Sequence, residues 1–194
     1  SSSKWRFTFI FMGLIAVLFI AILMANSFLL EGYYTMQKVS TLENAYTTLD
    51  TMLGSDEAAD DRIDLLFPSN YDTSNPETET PATTYLKSLS ETSNVSVIII
   101  DTQTDRVFST YGDLNLQMQK LNRYIFGNRR GEKGKILASF DNYKIERNRD
   151  ENSGNLYLES WGYFSDNTTT FIMSMPISSL RESVGFFNRF LLLI

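Results

Sequence analysis

The run Phe7 to Leu30, FTFIFMGLIAVLFIAILMANSFLL, decides how the rest of the chain is read: it holds twenty-four residues and no charged side chain. As an α-helix rising about 1.5 Å per residue it is roughly 36 Å long, enough to cross a hydrocarbon core of about 30 Å with some tilt. Backbone amides find no water inside lipid, so the run is expected to be helical throughout, with Thr8 and Asn26 near the ends where polar groups cost least. Lys4 and Arg6 precede the run and Glu31 follows it, which marks the N-terminus as cytoplasmic. Residues 1–31 are therefore expected to be a cytoplasmic stub and a first transmembrane helix, with membrane lipid as the partner of Phe7 to Leu30. A cleaved signal peptide has a shorter apolar core of about 7–15 residues. Here Met24-Ala25-Asn26-Ser27 is followed by more apolar sequence, so an uncleaved anchor is expected.

Beyond the anchor, Met36, Val39, Leu42, Tyr46, Leu49 and Leu53 recur at helical spacing, and no glycine or proline interrupts Tyr33 to Leu53. The membrane helix is expected to run on into this stripe and to stop at Gly54. Such a stripe serves either its own domain core or a short coiled coil with a second copy of the chain. From Ser55 to Pro81 the sequence is turn-rich, with eight acidic residues against Arg62 alone. It lacks the tight glycine turn of a calcium loop, and it reads as a solvated surface with one short helical piece and no metal.

The remainder alternates short elements. Thr83 to Thr92 is expected to be helical, Val95 to Ile100 a buried strand, and Arg106 to Thr110 its hairpin partner across the polar turn Asp101 to Asp105. Leu114, Met118, Leu121 and Ile125 place an amphipathic helix over Asp113 to Phe126. Gly127 to Lys135 is basic and glycine-rich but has neither the spacing nor the hydroxyl of a phosphate loop, and is read as a turn. Lys135 to Arg147, Leu156 to Phe164 and Thr169 to Met175 are read as three successive antiparallel strands, giving five in all. Ile177, Leu180, Val184, Phe187, Leu191 and Ile194 then fall on one helical face after Pro176. The final Leu191-Leu192-Leu193-Ile194 is expected to open a second membrane segment.

Composition limits the chemistry. Net charge is −6 with scattered basic residues, which does not suggest nucleic acid. Cysteine and histidine are both absent. That removes disulfides, thiolate chemistry, the commonest general base and the usual zinc ligand. Neither a catalytic motif nor a cofactor motif is present, so this stretch is not expected to be an enzyme or to carry a cofactor.

Two passages carry a likeness. Val97-Ile98-Ile99-Ile100-Asp101-Thr102-Gln103-Thr104-Asp105-Arg106-Val107 is similar to the strand, polar turn and strand that open extracytoplasmic PAS-like domains of the PDC or Cache type. Met173-Ser174-Met175-Pro176-Ile177-Ser178-Ser179-Leu180-Arg181-Glu182-Ser183-Val184 resembles the exit from the last strand of such domains, through a proline, into a signalling helix. The whole layout resembles the sensor region of a bacterial transmembrane sensor histidine kinase of a two-component system.

The resemblance implies an α+β fold with a PAS-like five-stranded sheet in residues 32–176. It implies a signalling helix and the start of a second membrane segment in 177–194, and residues of about 32–185 outside the cell membrane. It further implies a homodimer through the N- and C-terminal helices and signal transduction to a cytoplasmic kinase by helix rearrangement. An unidentified extracellular ligand or protein would bind outside, with Arg106, Tyr143, Trp161 and Tyr163 as an aromatic wall plus one cation for an anionic group. The same outer module would suit a chemoreceptor or a cyclase, and a membrane-anchored extracellular binding or assembly protein is a further alternative.

Overall fold

The computed structural model describes residues 2–54, 64–125, 134–150, 153–177 and 192. The chain divides into two compact units, one of Ser1–Gln37 with Ser179–Ile194 and one of Lys38–Ser178. Helix α1 spans Ser2–Leu53 without a break. By length and composition it contains a stretch apolar enough to cross a membrane, with a mean hydropathy of 2.8 over its most apolar window and none of that window buried. Gly54 closes the helix, its N–H reaching the Asp50 carbonyl at 2.9 Å.

In the unit Lys38–Ser178 the later elements are α2 (Pro81–Ser93), β1 (Ser96–Asp101), β2 (Arg106–Ser109), α3 (Leu114–Ile125), β3 (Lys135–Ser139), β4 (Tyr143–Arg149), β5 (Leu156–Tyr163) and β6 (Thr169–Pro176). The strands form one antiparallel sheet in the order β2-β1-β6-β5-β4-β3. The sheet has six strands where the sequence suggested five. Lys135 to Arg147 does not run straight: Phe140 N–H bonds to the Tyr143 carbonyl at 2.9 Å, and Asp141-Asn142 makes a two-residue hairpin that splits it.

Local chemistry sets the helix limits. Thr80 and Thr83 form a reciprocal capping box at the start of α2, with Pro81 in the first turn, and Asn94 ends the helix in the left-handed conformation at φ 54°. Asp113 caps α3, its carboxylate accepting from Asn115 N–H at 2.8 Å.

The register sorts the side chains into two faces. Val97, Ile99, Phe171, Met173, Leu158, Tyr143 and Ile145 share the inner face, and all are buried. Leu42, Ala45, Leu49 and Leu53 of α1, Phe67, and Ala82, Leu86 and Leu89 of α2 complete this core. Each fully buried leucine contributes about 1.5–3 kcal/mol relative to an exposed one. The α1 stripe from Leu42 onward therefore serves its own domain, while Met36 is 74% exposed. Where helix meets sheet, Tyr46 stacks on Tyr143 with ring centroids 4.0 Å apart, and Phe171 lies 4.7 Å from Phe164 and 5.5 Å from Tyr46. Phe171→Ala is expected to cost about 3–5 kcal/mol, read as a lower denaturant midpoint with unchanged slope.

The final strand also runs further than the sequence suggested. Ile177 was expected on a helix; instead its N–H bonds to the Leu156 carbonyl at 2.9 Å and its side chain is buried, so it extends the sheet edge of the core. The rest of the expected C-terminal helix, like the Gly127 to Lys133 turn, lies outside the described residues apart from Leu192.

Candidate functional site

The four residues proposed from sequence do not meet. Arg106 and Tyr143 project from the inner face, whereas Trp161 and Tyr163 alternate onto the outer one. Arg106 forms an ion pair with Asp64, and its Nη2 donates to the Phe67 carbonyl at 3.2 Å. It lines a hollow of about 350 Å³ together with Phe67, Tyr71, Asp101 and Phe108. Its charge is thus committed to tying the segment after α1 to the sheet. Tyr143 is a core ring, 7% exposed, and its phenol is pushed up to about 12 by burial, with Glu43 and Tyr46 adding to the effect. An aromatic wall completed by Arg106 is therefore not formed.

Trp161 and Tyr163 do share a cavity. A second hollow of about 340 Å³ is lined by Tyr124 of α3, Trp161 and Tyr163 of β5, Ile100, Thr170 and Ile172, with Thr102 and Asp105 of the β1–β2 turn. Tyr124 and Trp161 approach to 5.2 Å between ring centroids at 39°, so they form two inclined walls and not a flat stack. Its volume falls at the small end of ligand pockets, suited to a group of a few heavy atoms.

Helix α3 covers the outer face by a route its sequence pattern hides. The apolar positions Leu114 and Met118, expected to face the sheet, are 68% and 53% exposed. The side turned inward carries Lys120, Arg123 and Tyr124, with Leu121 of the stripe half-buried beside them. Lys120 forms an ion pair with Glu159 of β5 and lies 4.1 Å from the centre of the Tyr157 ring; Arg123 donates to the Tyr157 hydroxyl at 2.6 Å. Glu159 is wholly buried. A buried carboxylate on the outer face can be matched only by a cation from above, and this fixes the rotation of α3 against its hydrophobic preference.

The titration shifts follow from that burial. Burial raises the Glu159 carboxyl above its ordinary range, and Lys120 and Arg123 pull it part of the way back. For Lys120 burial alone would lower the ammonium, but Glu159, Tyr157 and Tyr111 more than offset it and the net shift is upward. Burial likewise raises the Tyr111 phenol, which sits near Lys120 and Ser174.

Sequence reasoning missed Tyr124, Asp105 and the Lys120–Glu159 pair. One signal was present: Tyr157, Glu159, Trp161 and Tyr163 alternate along one strand, so a single carboxylate sits among three rings on one face. Comparison of the chain with family models, with curated proteins and with solved structures found no match, so the reading of the outer hollow rests on its geometry.

Proposed function

We propose that the chain is the extracytoplasmic input module of a bacterial two-component sensor histidine kinase, with a PAS-like sheet domain that binds a ligand or partner outside the membrane. The observation that carries this reading is helix α1. One unbroken helix holds both a bilayer-length apolar run and the leucines that close the domain core. A continuous helix of that kind would serve as a mechanical link, and the outer hollow under α3 is where a ligand would act. Binding moves such a helix only to the extent that one arrangement of the domain holds the ligand better than another. The chain itself needs no catalytic group in this role, since phosphotransfer would belong to a cytoplasmic kinase.

A homodimer would be formed along α1 and the C-terminal helix. Leu42 is buried in its own core, so the contact with a second copy falls instead on exposed positions such as Met36. The test is a helix-phase series in the intact gene product: one to four alanines inserted after Gln37, each turning the helix by about 100°. Autophosphorylation in membrane vesicles is expected to rise and fall with a period of about 3.6 residues. A flat response across the series would mean that α1 is only a tether.

A further inference from the structure

We propose that the outer hollow binds a small organic cation, an alkylammonium group, held by aromatic faces and balanced by Asp105. The proposal deepens the sensing role given above and rests on it for biological meaning, though not for its test. Three rings, Tyr124, Trp161 and Tyr163, wall the cavity. Aromatic faces carry negative potential and attract a cation that has left part of its hydration behind.

Among the described residues the charge balance favours a cation. Asp105 stands at the rim in the left-handed conformation, at φ 55°, and among the described residues its carboxylate makes no ion pair or side-chain hydrogen bond. Among the described residues no basic side chain lines the cavity. Arg106, next in sequence to Asp105, leaves from the opposite face and is committed to Asp64 and Phe67. Lys120 and Arg123 of the covering helix are engaged by Glu159 and Tyr157. Lys144 lies beside Trp161 in register on the neighbouring strand β4, but its side chain is exposed and is not among the lining residues. A carboxylate ligand would meet Asp105 with like charge, whereas an ammonium group would gain both the rings and the rim. Such a ligand is opposite in sign to the anion that the sequence suggested for Arg106.

The rings also supply the readout. Trp5 and Trp161 are the only tryptophans, so Trp5→Phe leaves Trp161 emission as a reporter of the cavity. The full chain carrying that change, in detergent micelles, is titrated with choline, with its neutral isostere 3,3-dimethylbutan-1-ol and with 3,3-dimethylbutyrate. Choline is expected to give a saturable change, the neutral isostere to bind about tenfold more weakly, and the carboxylate to give none. Asp105→Asn is expected to weaken choline about tenfold while leaving the alcohol unchanged and the circular dichroism native. Tighter binding of the carboxylate, equal binding of the alcohol, an unaltered choline affinity in Asp105→Asn, or no saturable response from natively folded protein would each overturn the proposal. Because binding is measured without kinase output, a flat alanine series with intact choline binding would refute the signalling reading alone.

Discussion

Lys120→Met lowers the unfolding free energy of the sheet domain by about 3–5 kcal/mol near neutral pH, because it leaves the buried Glu159 carboxylate without its ion-pair partner and with only the more distant Arg123 charge. Glu159 is wholly buried and the Lys120 side chain is 12% exposed, so solvent relieves little of the cost. The loss depends on pH in a defined direction. Burial raises the folded-state carboxyl of Glu159 above its ordinary value of 4.5. Its contribution is therefore fully present below 4.5 and is lost as pH rises through the raised folded value. Without Lys120 to pull it back, Glu159 holds its proton to higher pH, and the deficit of the variant shrinks toward acid. Lys120, also raised, keeps its contribution until pH exceeds its own folded value, above 10.5. Chemical denaturation of both proteins between acid and neutral pH measures this. The double variant Lys120→Met with Glu159→Met is expected to recover most of the loss, since a well-packed apolar pair replaces a buried ion pair at little net cost. A double variant as unstable as the single one would show that the two residues do not act as a pair.

Gly162→Ala is expected to be at least as damaging. A Cβ at this position would lie 2.2 Å from the Asn142 carbonyl oxygen and 2.6 Å from Tyr143 Cα, and both are backbone atoms that cannot rotate away. Tyr143 faces Gly162 across β4 and β5, so the methyl would part the strands beneath the Tyr46–Tyr143 stack. Overpacking of this kind costs about 3 kcal/mol or more. Gly154→Ala is the internal control. Gly154 has φ 70° but open space around it, so only backbone strain of about 1 kcal/mol is expected. Gly162 is itself at φ 155°, so both variants carry backbone strain and Gly162→Ala adds the close approach: its thermal midpoint should fall well below that of Gly154→Ala, and equal midpoints would contradict a steric clash.

These two sites show which parts of the molecule could be read from residues alone. The long helix was legible because an uncharged run and an uninterrupted heptad-like stripe leave few alternatives, and α1 indeed continues from Ser2 to Leu53. Strands β1 and β2, and helix α3 with its Asp113 cap, were legible from β-branched runs and helical spacing. The sixth strand was not, because Phe140 to Asn142 reads equally as a bend within one strand or as a two-residue hairpin. Nor was the rotation of α3: spacing alone favours burying Leu114 and Met118, and only knowledge that Glu159 is wholly buried on the facing strand reverses it. Of the four candidate residues, Trp161 and Tyr163 share one face and one hollow. Arg106 and Tyr143 were misplaced because face assignment needs the register between strands, which a lone strand pattern does not supply.

The proposed role requires the sheet domain to face the exterior. The absence of cysteine makes this measurable without background, by single substitutions Ser3→Cys and Thr92→Cys, both at exposed positions, treated with a membrane-impermeant maleimide in intact cells or protoplasts. Thr92→Cys should label at once and Ser3→Cys only after permeabilisation. Labelling of both from outside, or protection of Thr92→Cys in intact cells, would contradict an input module that faces the exterior from a membrane-spanning helix.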